Sequence, residues 1–240
     1  MNNNFSFKRF GQVLAKDWKD YFRNFGISLI VWSCIPVLFW IATLIFGVNM
    51  GAAGRIAVIA SLVFSVLIFV PSKVYGKANL SRDGVNFATL PATNAEKFFS
   101  MLIYCSILTP IIVGLGSWAI DTLLALLPFG GFYELVALPK SYLCLQVITI
   151  GSSLLMFSSF FMFGNMVFKK RKAGKTIAWA MLIVFVIAML FQLFNIWQSI
   201  DRWFSSLSNN GLIWVNIATC LVIAIVFYYF TYRRIKNQKY

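Results

Sequence analysis

The sequence has 240 residues, of which 60% are hydrophobic and 12% charged, with a mean hydropathy of +0.79 and a formal net charge of +14. A soluble domain is about 45–50% apolar and about 25% charged, so no folded core could bury this much apolar surface away from water. These values exclude an ordinary soluble domain, and we predict an all-α, polytopic integral membrane protein.

An amphipathic helix is predicted over residues 5–25, before the first apolar run. Large apolar side chains recur there at helical spacing, and basic residues fill the opposite face. This pattern is typical of a helix that lies in the membrane interface. It predicts either a plain anchor that orients the first span or an element that transmits motion to the membrane. The apolar residues are Phe7, Phe10, Leu14, Trp18, Tyr21, Phe22 and Phe25.

Six runs are long enough to cross a bilayer, which takes about 20 mostly apolar residues. Arg55 and Lys73 flank the core of the second run, and we expect both cations to reach the interfaces. The third run is too long for a straight crossing and contains Pro110, Gly114 and Gly116, which predict a kink. The predicted spans are Ile27–Phe46, Ala52–Tyr75, Phe98–Leu127, Tyr142–Phe168, Ile177–Trp197 and Leu212–Tyr229.

Positive charge falls on one side of this topology. All but three of the 21 Lys and Arg residues lie in the N-terminal arm, in the second and fourth connections or in the C-terminal tail; the exceptions are Arg55, Lys140 and Arg202. Cytoplasmic loops collect Lys and Arg, so we predict one transmembrane domain over residues 1–240 with both termini in the cytoplasm. The positive charge then orients the chain in the membrane and attracts anionic lipid. We predict no nucleic-acid partner.

The predicted cytoplasmic segment 76–97 contains a detailed helix start. Pro91 disfavours helix at the residue before it, and Thr93 and Glu96 have the spacing of a capping box. Apolar and charged side chains beside this start favour docking of a cytoplasmic partner, and the alternative is a well-capped turn without a partner. The candidate docking residues are Arg82, Asp83, Phe87, Leu90, Thr93, Glu96 and Lys97.

Asp121 is a second candidate polar site, near the predicted outer end of the third span. A carboxylate inside the membrane is a functional candidate by default, whereas one in reach of interfacial water is not. Catalytic chemistry is not predicted. The chain has no histidine, the commonest general base and metal ligand, and its four cysteines lie separately within apolar runs. We therefore predict no enzyme activity, metal site or cofactor site in this chain.

The stretch "FATLPATNAEKFFSMLI" looks like the "LPAS…EKF" segment of some bacterial ATP-binding-cassette exporters, and the tail "YYFTYRRIKNQ" is similar to their ends. With the amphipathic N-terminal helix, the six spans and a further amphipathic pattern at residues 196–207, the whole chain resembles the membrane subunit of such an exporter, of the type-2 permease class. It departs from the pattern at Ser199–Gly211, which is short for a re-entrant hairpin.

The resemblance implies two six-span subunits, in a homo- or heterodimer, around a translocation path in the bacterial inner membrane. It also implies a separate cytoplasmic ATPase subunit that binds ATP and contacts segment 82–97 and the N-terminal helix. The cargo would be a lipid, a peptide or an amphiphilic compound. Two alternatives stay open: a non-transport membrane component (a scaffold, sensor or immunity protein), and an ion-coupled carrier that depends on Asp121.

Overall fold

The computed structural model describes residues 5–76, 78, 87, 89–127, 131, 132, 136, 143–193 and 208–237. These residues form helices and short connections, and no strand occurs among them. The helices are α1 (Phe7–Phe46), α2 (Ala52–Val74), α3 (Asn94–Leu102), a π-helical segment (Ile103–Leu108), α4 (Thr109–Ala125), α5 (Leu143–Val167), α6 (Lys172–Leu193) and α7 (Asn209–Lys236). The predicted outer segment 196–207 and the candidate residues Arg82 and Asp83 lie outside the described residues.

The described residues contain six helical stretches that are long and apolar enough to cross a membrane. They are Phe7–Phe46, Ala52–Val74, Asn94–Ala125, Val147–Val167, Lys172–Gln192 and Asn210–Lys236. The all-α fold and the six candidate spans are therefore confirmed, and they indicate a multi-pass membrane protein. The cytoplasmic placement of the termini stays a prediction.

The chain divides into two compact units. The first contains α1 to α4 and the second contains α5 to α7, so the division falls at the start of α5. The prediction of a single transmembrane domain over residues 1–240 stays a prediction.

In the first unit, α1 is one uninterrupted helix of 40 residues. At about 1.5 Å per residue it is about twice as long as the roughly 30 Å hydrocarbon layer, so its N-terminal half extends beyond a single crossing. One stripe of this helix is buried at four-residue steps: Val13, Asp17, Tyr21, Phe25 and Leu29. Tyr21 and Phe25, which belong to the predicted apolar face, are buried in the protein. The placement of residues 5–25 in the membrane interface stays a prediction.

The third span, in which a kink is predicted, contains a π-helical segment that ends at Leu108, two residues before Pro110. The kink itself stays a prediction. Proline lacks an N–H and its ring collides with the carbonyl four residues earlier in an α-helix. In the π-helical turn the Thr109 N–H donates to the Tyr104 carbonyl instead, and the Thr109 hydroxyl donates to the same oxygen at 2.7 Å. Gly116 has a packing role, because a Cβ there would lie 2.7 Å from the Ser33 Oγ of α1.

In the second unit, α5 and α6 approach closely at Gly164, where an added Cβ would collide with the Thr176 side chain. The turn between these helices includes Arg171 at a φ of 49°, in the left-handed region. The Phe160 ring of α5 packs edge-on against the Phe227 ring of α7, with 5.2 Å between centroids. Residues 181–190 of α6 are all exposed and all apolar, which suits contact with hydrocarbon.

Candidate functional site

The capping box predicted at the start of α3 is present. The Glu96 amide donates to the Thr93 Oγ1 at 3.3 Å, and the Thr93 amide donates to the Glu96 Oε2 at 2.8 Å. Two amides of the first turn, which have no partner within the helix, are thereby satisfied. Pro91 sits three residues before the first helical residue, so the chain enters α3 from a fixed turn.

The same carboxylate also closes the start of α1. The Ser6 amide donates to the Glu96 Oε1 at 2.8 Å, and the Arg9 Nη2 donates to that oxygen at 3.2 Å. Ser6 is the N-cap residue of α1, and its own side chain makes no capping hydrogen bond. A negative charge is favourable at a helix N-terminus, and here one buried carboxylate serves two helix N-termini.

A second polar contact joins the two helices further along α1. Asp17 is buried, and its Oδ2 accepts from the Tyr75 hydroxyl at 2.9 Å and from the Ser100 Oγ at 2.5 Å. Tyr75 follows α2 directly, outside the membrane-crossing stretch. Burial, together with the Asp17 carboxylate, raises the pKa of the Tyr75 phenol well above its ordinary value, so the phenol keeps the proton it donates.

Together these contacts define the α1–α3 junction, which consists of Ser6, Arg9, Asp17, Tyr75, Thr93, Glu96 and Ser100. Two neighbouring contacts extend it toward the π-helical segment. The Tyr104 hydroxyl donates to the Leu14 carbonyl at 2.8 Å, and the Tyr21 and Thr109 hydroxyls lie 2.8 Å apart. The junction fixes the N-terminal half of α1 to α3, the helix that begins inside the predicted docking segment (residues 76–97).

Of the candidate docking residues that the structure describes, two are buried and three are half-buried. Glu96 and Lys97 are buried, and the Lys97 Nζ lies 5.3 Å from the centroid of the Phe87 ring. Phe87, Leu90 and Thr93 are half-buried. Surface exposure in this segment occurs at Thr89 and Pro91, next to Leu90.

Asp121, the second candidate polar site, is buried inside the first unit. It is only 1% exposed, and its Oδ1 lies 3.8 Å from the Nε of Arg55, which is 2% exposed. The prediction that Arg55 reaches an interface is therefore wrong. A guanidinium can stay buried because a carboxylate compensates its charge and the face of an aromatic ring attracts it. The Arg55 Cζ lies 4.5 Å from the centroid of the Phe132 ring.

The Arg55–Asp121 pair lies between α2 and α4, within two candidate spans. The second carboxylate oxygen of Asp121, Oδ2, is buried and has no hydrogen-bond partner among the described residues. Residues 131 and 132 cover this end of the unit: the Met50 amide donates to the Gly131 carbonyl at 3.1 Å, and the Gly131 amide donates to the Thr43 Oγ1 at 3.2 Å. The first unit therefore has one polar cluster at the α1–α3 junction and a second between its spans.

Within the described ranges, no three His, Cys, Asp or Glu side chains lie together in the manner of metal ligands. Comparisons with protein-family models, with curated proteins and with solved structures find no match. The function is therefore inferred from the sequence and from the geometry of this chain alone.

Proposed function

We propose that the chain is the permease subunit of an ATP-binding-cassette exporter in a bacterial inner membrane. It moves a lipid, a peptide or an amphiphilic compound, as half of a homo- or heterodimer of six-span subunits. A separate cytoplasmic ATPase binds and hydrolyses ATP. The resemblance in the docking segment and the multi-pass architecture both support this function.

The observation that carries the proposal is the double role of the Glu96 carboxylate at the α1–α3 junction. A partner that displaces the turn at residues 89–93 also displaces the start of α3, because the capping box joins them. The hydrogen bonds from Ser6 and Arg9 to Glu96 pass that displacement to the start of α1. Since α1 continues without a break to Phe46, the displacement reaches a membrane-crossing segment without an intervening loop.

This function assigns separate roles to the surface and to the interior of the docking segment. The exposed side chains of Thr89 and Pro91, with half-buried Leu90 beside them, form the surface that the ATPase contacts. Glu96 and Lys97 lie inside the unit and transmit the contact. A permease that only anchored its partner would not need a buried carboxylate linking the docking segment to its first span.

The Arg55–Asp121 pair favours the second candidate, an ion-coupled carrier. Ionisable groups buried inside a membrane mark ion or substrate pathways in many transporters. Here, however, the Asp121 charge is already balanced by Arg55, as expected of a pair that holds α2 and α4 together. The two candidates differ in energy source, because only the exporter requires ATP.

A photo-crosslinking experiment tests the exporter function. A benzophenone amino acid at Leu90, in the chain expressed in its native membrane, is expected to crosslink to an ATP-binding-cassette ATPase identified by mass spectrometry. The same probe at Leu182, on the exposed face of α6, is the control and should give only lipid adducts. The crosslinked ATPase and the chain, reconstituted together in liposomes, are then expected to hydrolyse ATP faster than the ATPase alone and to move cargo only with ATP.

Two outcomes would overturn the exporter function. One is a Leu90 probe that captures no ATPase although the chain is correctly inserted. The other is uptake that follows a proton or sodium gradient without ATP, which would establish the carrier instead.

A further inference from the structure

We propose that the second unit binds an anionic phospholipid, with part of an acyl chain in an aromatic cavity between α5, α6 and α7 and the phosphate on the basic turn between α5 and α6. This inference does not depend on the exporter function. It rests on the shape and lining of the cavity and on the cations at one end of it.

The cavity has a volume of about 260 Å³ and an almost wholly apolar lining. An apolar cavity of about 150 Å³ is large enough to hold benzene, so this one can admit a section of an acyl chain. The Thr176 hydroxyl is a polar group in the wall, and it donates its hydrogen to the Lys172 carbonyl at 2.8 Å. The main lining side chains are Phe160, Phe163, Val167, Phe168, Trp179 and Phe227.

Aromatic packing between α5 and α7 keeps the cavity open. The Phe227 ring contacts the Phe160 and Phe163 rings, with 5.2 Å and 5.7 Å between centroids. Gly164 also lines the cavity, and there α5 packs directly against Thr176 of α6. Trp179 lines the cavity and is 54% exposed, so the cavity meets the exposed apolar face of α6. A chain from the surrounding bilayer can therefore enter and gain dispersion contacts.

The charges next to the cavity select the headgroup. Lys169, Lys170 and Arg171 are exposed in the turn that joins α5 to α6. Lys175 lies one turn into α6, and its Nζ is 6.0 Å from the centroid of the Phe168 ring, which lines the cavity. Basic pockets between membrane helices bind anionic headgroups, and each Lys or Arg near the membrane surface strengthens that attraction. A neutral apolar compound offers these cations no partner, and the ammonium group of a zwitterionic lipid offsets the attraction of its phosphate.

Quenching of Trp179 fluorescence by brominated lipids tests this site. The chain is reconstituted in phosphatidylcholine vesicles that contain increasing fractions of brominated phosphatidylglycerol or of brominated phosphatidylcholine. Subtracting the signal of the Trp179→Phe variant isolates the Trp179 contribution. We expect half-maximal quenching at about a fivefold lower mole fraction of phosphatidylglycerol than of phosphatidylcholine, the preference that one cation–headgroup contact supplies.

Two variants separate the site from general attraction to the surface. Removing the local cations, in Lys169→Gln/Lys170→Gln/Lys175→Gln, is expected to abolish the preference. The control Lys8→Gln/Lys16→Gln/Lys19→Gln removes equal charge from exposed positions on α1 and should retain it. Filling the cavity with Val167→Phe should weaken quenching by the anionic lipid while the protein still elutes as a folded species. Equal quenching by both lipids in the unmodified chain, or equal loss in both charge variants, would overturn the proposal.

Discussion

The Asp121→Asn variant is expected to lose about 3–5 kcal/mol of unfolding free energy, because it removes the carboxylate charge that faces a buried guanidinium. Arg55 and Asp121 are 2% and 1% exposed, and their nearest charged atoms lie 3.8 Å apart. A buried pair contributes little net stability when it is intact, since desolvation offsets the attraction, but breaking it exposes the full cost of one buried charge. Denaturant titration of the purified chain in micelles, followed by Trp fluorescence, measures the loss.

Two further variants make this prediction specific. The double variant Arg55→Met/Asp121→Leu removes both charges together and is expected to be close to the unmodified chain in stability. Asp20→Asn is the control. The Asp20 carboxylate pairs with Arg23 at 2.6 Å and with Lys16 at 4.0 Å on the surface of α1, so its removal should cost less than about 1 kcal/mol. If Asp121→Asn costs no more than Asp20→Asn, the buried pair has no structural role.

The Glu96→Gln variant is expected to lose about 3 kcal/mol, because hydrogen bonds to charged groups contribute about 1.5–3 kcal/mol and an unsatisfied buried donor costs about 1–3 kcal/mol. The carboxylate uses both oxygens as acceptors, Oε1 for Ser6 and Arg9 and Oε2 for Thr93. An amide keeps the shape of the side chain but replaces one acceptor with an NH2 group, which faces a donor in either orientation.

Amide hydrogen exchange shows whether Glu96 links the two helices. In Glu96→Gln we expect faster exchange in both first turns, at residues 6–10 of α1 and at residues 93–97 of α3. Thr93→Ala is the matched control, since it removes one cap of α3 at a cost of about 1 kcal/mol and leaves the contacts of Ser6 and Arg9 with Glu96 in place. Unchanged exchange at residues 6–10 in Glu96→Gln would contradict the link.

The sequence predicts the features that depend on local order along the chain. Apolar runs reveal the spans because the bilayer requires about 20 apolar residues for each crossing. The capping box is readable because Thr93 and Glu96 lie three residues apart and close one helical turn. Pro110 indicates an irregular third span, although only the structure shows that the irregularity is a π-helical segment before the proline.

The polar contacts of the first unit depend instead on how distant segments pack. Ser6 and Glu96, Asp17 and Ser100, and Arg55 and Asp121 each join residues far apart in the chain. The residues next to Arg55 in the sequence do not indicate whether its side chain reaches the membrane interface or pairs with a carboxylate inside the unit. Asp17 lies between basic neighbours in the sequence and reads as part of the charged face of an amphipathic helix. Its burial follows from the stripe of α1 that packs inside the unit.

Cysteine labelling in spheroplasts tests most directly the claim that the docking segment, residues 76–97, faces the cytoplasm. In a chain whose native cysteines are replaced, Thr89→Cys and Gly51→Cys place single thiols at exposed positions on either side of α2. We expect a membrane-impermeant maleimide to label Gly51→Cys in intact spheroplasts and Thr89→Cys only after the membrane is permeabilised. Labelling of Thr89→Cys from outside, with Gly51→Cys protected, would invert the topology and contradict any contact of this segment with a cytoplasmic ATPase.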